Sequence, residues 1–184
     1  MNKSELKEFL DVKVLEYNNP KFIESDPIQI PHRFSLKEDI EISAFLTATI
    51  AWGNRKMIIK NADKMMHLLD NSPYDFVMNH SESDLDKFDG FVHRTFNSDD
   101  LKYFIKALNN IYVNYSGLES IFINNVTKNS LQPAIHEFKK IFFSIEHKTR
   151  TQKHVGDPNK GSCCKRINMM LRWFVRKDNA GVDF

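Results

Sequence analysis

The sequence has few of the residues that mark loop-rich, disulfide-linked or membrane-spanning proteins. Its 184 residues include only six glycines and six prolines, which argues against many short strands joined by turns. The two cysteines, Cys163 and Cys164, are neighbours, so they cannot join distant segments and lack metal-ligand spacing. The apolar stretch at 44–52 is interrupted by threonines and falls short of the roughly 20 residues that span a bilayer. We therefore expect a cytoplasmic protein without a membrane span.

Apolar residues instead recur at helical spacing along most of the chain. The segment 37–51 is apolar on nearly every side, which predicts a helix at the centre of the fold. The sequence Ser35-Leu36-Lys37-Glu38 has the form of a capping box that would open this helix. No Asn-Gly or Asp-Gly pair lies between alternating apolar runs, so we predict no hairpin. The expected fold is all-α, with seven or eight helices packed around 37–51.

Charge is distributed very unevenly between the two ends of the chain. Between residues 148 and 177 there are nine Lys or Arg and one acid, Asp157, a net charge of +8, whereas the rest of the chain carries −6. We predict one domain over 1–184, made of a helical body at 1–146 and a basic hairpin-helix segment at 147–184. An anion is the natural partner of such a segment.

The basic segment contains a tight turn at 157–162, followed by an amphipathic helix from about Cys163 to Val175. The amides of Gly161 and Ser162, together with the positive end of the helix dipole, would hold a phosphate. A series of phosphates in DNA would match the row of cations, which we predict to be Lys160, Lys165, Arg166, Arg172 and Arg176. The alternative is an ordinary solvated face of a basic amphipathic helix.

Two shorter motifs could add base contacts to this interface. Trp52, Asn54 and Arg55 follow the apolar central helix, where an indole, an amide and a guanidinium could stack on and hydrogen-bond to a base. His93 and Arg94 lie between aromatic residues in a predicted loop. The alternatives are a core Trp52 and a structural, hydrogen-bonded His93. No histidine pair has metal-ligand spacing, so we expect neither a metal nor another cofactor.

The chain resembles an uncharacterised bacterial family known only as a domain of unknown function. The motifs that carry the resemblance are 50–55 (IAWGNR), 91–96 (FVHRTF) and 160–176, and it extends over nearly the whole chain. Members of that family continue beyond the position of Phe184, so the resemblance implies that this chain lacks a C-terminal part.

That family distantly resembles the helix-hairpin-helix DNA glycosylases of base-excision repair. The resemblance implies a glycine hairpin that grips DNA while a base is flipped out between helical subdomains. In some glycosylases a lysine after the hairpin forms a Schiff base with the sugar, and Lys165 is the nearest candidate here. The catalytic aspartate of the family is expected beyond Phe184. The second hypothesis is a non-enzymatic domain that binds RNA or an acidic protein.

Overall fold

A computed structural model describes residues 1–184, and nearly all of its regular structure is helical. The eight α-helices are α1 (Lys3–Tyr17), α2 (Lys37–Thr49), α3 (Arg55–Leu68), α4 (Pro73–Asn79), α5 (Ser98–Tyr115), α6 (Leu118–Asn125), α7 (Gln132–Phe142) and α8 (Lys165–Val175). Short 3-10 segments lie at Pro20–Ser25, Pro27–Gln29, Pro31–Arg33, Glu82–Phe88, Thr149–His154 and Pro158–Lys160. The predicted all-α class is confirmed, and none of the helices is long and apolar enough to cross a membrane.

Helix α2 lies at the centre, as its apolar sequence predicts. It contacts α3, α4 and α8, and its residues 41–49 are all buried. Phe45 packs against Phe104 of α5 and against Phe138 and Phe142 of α7, with ring centroids 5.3–5.5 Å apart. Each such aromatic pair adds about 0.5–1.5 kcal/mol beyond the burial of its area. This aromatic cluster joins α2 to α5 and α7.

The start of α2 differs from the predicted capping box. Leu36 occupies the N-cap position, and no side chain caps the helix. The Leu36 carbonyl accepts the first intrahelical bond, from the amide of Ile40 at 3.0 Å, so the helix begins one residue later than Ser35 would place it. The Asp39 carboxylate is used elsewhere, because it accepts a hydrogen bond from the amide of Tyr74 at 2.8 Å.

A short hairpin interrupts the helices, and the prediction of no hairpin was wrong. Strand β1 (Val92–His93) pairs with antiparallel β2 (Phe96–Asn97). Arg94 in the connecting turn adopts a left-handed backbone with φ of 55°. Strands of two residues are too short to show the alternation by which a strand is recognised in a sequence.

Helix α1 stands apart from the rest of the fold. None of its residues is buried, and the apolar side chains that mark it as a helix, including Leu6, Phe9 and Leu10, are exposed. Its C-terminal end is held by Asn18, whose side chain donates to Asp178 at 2.7 Å and accepts from Arg176 at 2.6 Å.

The basic segment is joined to the helical body through one buried carboxylate, Asp100 of α5. The carboxylate accepts hydrogen bonds from Arg150 (2.8 Å), Thr151 (2.7 Å) and His154 (3.2 Å). Burial by itself raises the pKa of Asp100, but the hydrogen bonds from His154, Thr151 and Asn97 outweigh it, and the pKa lies well below its ordinary value. Asp100 is therefore an anion that fixes 149–154 against α5.

Candidate nucleic-acid interface

Helix α8 begins at Lys165, two residues later than the sequence predicts. Ile167, Met170, Leu171 and Trp173 on one side are buried. Lys165 and Arg172 are exposed on the other side. The N-cap residue is Cys164, which is buried and left-handed with φ of 46°. Burial raises the pKa of its thiol, so this cysteine is not an activated nucleophile.

The glycine turn before α8 uses its own amides internally. Gly161 donates to the carbonyl of Pro158 and Ser162 to the carbonyl of Asp157, both at 3.1 Å. The expectation that these two amides are free for a phosphate was therefore wrong. The reason is that 158–160 forms a 3-10 turn that the left-handed Gly161 closes, with φ of 77°.

The free amides lie a few residues further on, in the first turn of α8. The backbone N–H groups of Lys165, Arg166 and Ile167 donate to no protein group, as is usual for a first helical turn. An open cavity of about 440 Å³ adjoins this turn and is lined by Gly161, Ser162, Cys163, Cys164 and Asn168, together with residues of α7. Lys160 and Lys165 are exposed and form no ion pair. In the sequence, Lys160 and Lys165 directly flank the cavity-lining residues 161–164.

Arg166 leaves the predicted row of cations and turns inward. Its guanidinium lies 4.8 Å from the centroid of the Trp52 ring and donates to the carbonyl of Thr49 at 2.6 Å. Burial lowers the pKa of Arg166, but an arginine still keeps its charge at neutral pH. The guanidinium therefore covers one face of the Trp52 ring. A nucleic-acid base could stack only on the other face.

His93 is a structural group and does not face a ligand. It is 3% exposed and lies edge-on to Trp52 with centroids 5.0 Å apart. The Asn61 amide nitrogen lies 2.8 Å from Nδ1, which makes Nδ1 the acceptor, and Nε2 then donates to the Trp52 carbonyl at 3.4 Å. Burial lowers the pKa of His93, which favours this neutral form. The expected contact of His93 with nucleic acid was wrong because the hairpin buries the ring.

The residues next to Trp52 and His93 in the sequence differ in whether their polar groups are accessible to a ligand. Asn54 caps α3 by accepting the amide of Met57 at 3.2 Å, so its oxygen is occupied. Arg55 is exposed, with its guanidinium over the ring of Phe22. Arg94 is exposed, and its guanidinium lies directly above Gly53, where a Cβ would come within 2.8 Å of it. Arg55 and Arg94 are therefore the accessible cations beside Trp52.

The distal cations of α8 are largely neutralised by the C-terminal residues. Asp183, whose side chain is 2% exposed, is paired with Arg176 and lies 3.6 Å from Arg172. Asp178 adds a second contact to Arg176 at 3.3 Å. The row predicted from Lys160 to Arg176 is therefore open at its start and screened at its end.

The structure also presents cations that the charge count did not single out. Lys56, Lys60 and Lys64 lie along the exposed side of α3, in a region whose net charge appeared acidic. Their spacing of four residues, which places all three on one side of a helix, is the sequence pattern that could have predicted this surface. No group of three His, Cys, Asp or Glu side chains is placed to hold a metal ion.

Comparison with known proteins places the chain in a family. The model of the family described as "protein of unknown function (DUF2400)" matches residues 26–184. The chain belongs to this family. No curated protein and no solved structure matches it. The DUF2400 match begins after α1 and includes Trp52, the hairpin, α3 and α8, so every group of the candidate interface lies within the family domain.

Proposed function

We propose that this DUF2400 protein binds duplex DNA, with one phosphate held at the first turn of α8. The observation that carries the proposal is the start of α8, where three amides donate to no protein group and the exposed Lys160 and Lys165 form no ion pair, next to a cavity lined by residues 161–164 and Asn168. Amides at a helix start and full positive charges both favour a phosphate oxygen. A cytoplasmic location, expected from the sequence, is part of this proposal.

The cations around Trp52 extend the surface beyond a single phosphate. Arg166 links α8 to Trp52, and Arg94 projects from the hairpin next to Gly53. Arg55 and Arg172 both lower the pKa of Asp26, against the larger opposing effect of burial, so both guanidiniums lie near that carboxylate. Arg55 of α3, Arg172 of α8 and Arg94 of the hairpin are thus exposed cations on three different elements, which suits a ligand with several phosphates.

Fluorescence anisotropy with a labelled duplex and a series of KCl concentrations tests the proposal. Wild type should bind with an affinity that falls steeply as salt rises, and Lys165→Ala should flatten the logarithmic salt slope by about one unit. Lys148→Ala is the matched control, because that lysine belongs to the same basic segment but is paired with Asp99 at 2.7 Å. Absence of binding at low salt, or binding indifferent to salt, would refute the proposal. Stronger competition by RNA would favour the alternative of an RNA-binding domain.

A base-excision activity is the finer form of the proposal, and it rests on the resemblance to DNA glycosylases. Lys165 would supply the amine that attacks C1′ of the sugar as the bond from C1′ to the base breaks. The C1′–O4′ bond then opens as the proton on nitrogen moves to O4′, giving an imine that borohydride can reduce to a stable amine. When the C-terminal part that the resemblance implies is supplied, incubation of lesion-containing duplexes with borohydride should give a covalent complex with Lys165 in place and none in Lys165→Ala. Base release without trapping would mean that water, and not Lys165, is the nucleophile.

A further inference from the structure

The exposed side of α3 carries a row of three lysines with no acidic partner. Lys56, Lys60 and Lys64 are four residues apart, so each is turned by about 40° from the last and rises about 6 Å along the helix. The only carboxylate on α3, Asp63, pairs with Arg33 and His67 and leaves the row uncompensated. We call these three residues the α3 lysine row.

Other lysines show that an uncompensated row is unusual in this chain. Lys87 contacts Asp70 at 2.9 Å, Lys102 contacts Asp89 at 2.8 Å and Lys106 contacts Glu82 at 2.7 Å. Those three carry the same charge as the α3 lysine row, but their field is cancelled locally. The α3 lysine row therefore presents a positive potential that the paired set does not.

A chain of contacts connects the α3 lysine row to the start of α8. The Lys64 ammonium lies over the ring of Phe91, which directly precedes the hairpin, at 5.8 Å from the centroid. Asn61 of the same helix holds His93, His93 packs on Trp52, and Trp52 packs on Arg166 in the first turn of α8. The two basic surfaces are thus joined through one partly buried cluster.

We infer that the α3 lysine row is a second phosphate-binding surface for the same duplex, extending the contact beyond α8. The inference rests on the proposed function. From Lys56 to Lys64 the row covers roughly 12 Å along the helix axis, or the axial rise of about three to four phosphates of one strand at roughly 3.4 Å each. A mononucleotide or a free phosphate could not use this length, so the ligand is a polynucleotide backbone.

A pair of charge-matched triple variants tests the inference by anisotropy with labelled duplex DNA over a KCl series. The first is Lys56→Gln with Lys60→Gln and Lys64→Gln, and the control is Lys87→Gln with Lys102→Gln and Lys106→Gln. Both remove three positive charges. Because each lost phosphate contact lowers the logarithmic salt slope by about 0.9, the first variant should bind more weakly with a slope lower by about 2–3. The control should keep the wild-type slope.

The outcomes separate this inference from the proposed function. If both triple variants weaken binding equally, only net charge matters and the inference is overturned. If the α3 variant matches wild type while Lys165→Ala flattens the slope, the α3 surface is refuted and the proposed function stands. If wild type does not bind, both fail. Replacing the three lysines by arginine should restore the slope, and failure of that rescue in a folded protein would also overturn the inference.

Discussion

The buried carboxylate of Asp100 gives a sharp test of how the basic segment is held. In Asp100→Asn the negative charge that faces Arg150 and His154 disappears, while the size of the side chain is kept. Breaking a buried ion pair costs about 3–5 kcal/mol, and because Arg150 is 38% exposed we expect a value near the lower end, about 3 kcal/mol. For a domain of this size that corresponds to a fall in Tm of roughly 6–12 °C.

The neighbouring Asp99 supplies the matched control. It is 47% exposed and pairs with Lys148 on the surface, where an ion pair is worth about 0–1 kcal/mol. Thermal and urea unfolding followed by circular dichroism at pH 7 should therefore show a large loss for Asp100→Asn and almost none for Asp99→Asn. Equal losses in the two variants would show that Asp100 does not fix 149–154, and the account of the buried network would be wrong.

The ionisation of Asp100 also predicts how the difference in stability between wild type and Asp100→Asn changes at low pH. Because the pKa of Asp100 is lowered on folding, its contribution is present above the unfolded value of about 3.9 and is lost as pH falls through the lower folded pKa. The stability of wild type should therefore approach that of Asp100→Asn in strong acid. A constant difference from pH 7 down to pH 2 would contradict this.

Two further variants test the other buried groups. The pKa of His93 is lowered on folding, so below about pH 6.5 the unfolded chain binds a proton that the folded chain does not. The free energy of unfolding should then fall by up to about 1.4 kcal/mol for each pH unit. Urea midpoints between pH 7.5 and 5.5 should fall less in His93→Gln than in wild type, and an equal fall in the two proteins would refute the neutral, buried His93. Asp183→Asn removes the anion that neutralises Arg172 and Arg176, so it should lower the free energy of unfolding by about 1.5–3 kcal/mol. The same change should steepen the salt slope of DNA binding by about one unit. An unchanged slope would show that these arginines do not face the ligand.

The helices could be predicted from the sequence because the spacing of apolar residues that marks a helix is visible within a short segment of the chain. The apolar character of 37–51 indicated its central position, and residues 41–49 are indeed all buried. The hairpin escaped prediction because its pairing depends on a turn at Arg94 and on the burial of His93, neither of which shows in a window of a few residues.

The interface could be predicted only in part, because tertiary contacts redirect charges that look equivalent in the sequence. Arg166 and Lys165 are neighbours, but one packs on Trp52 and the other faces solvent. Asp183 reaches back to Arg176, a contact that cancels a charge the composition counts as free. Summing charge over long windows also concealed the α3 lysine row, since the acids that balance it in the sum lie elsewhere in the fold.

The isolation of α1 has a consequence for how the chain can vary. None of its fifteen residues is buried, and the family match starts only at residue 26, after the helix has ended. Selection for a stable interior therefore acts little on these positions. Substitutions on the exposed side chains of the first helix should therefore change the stability of the globule that follows very little.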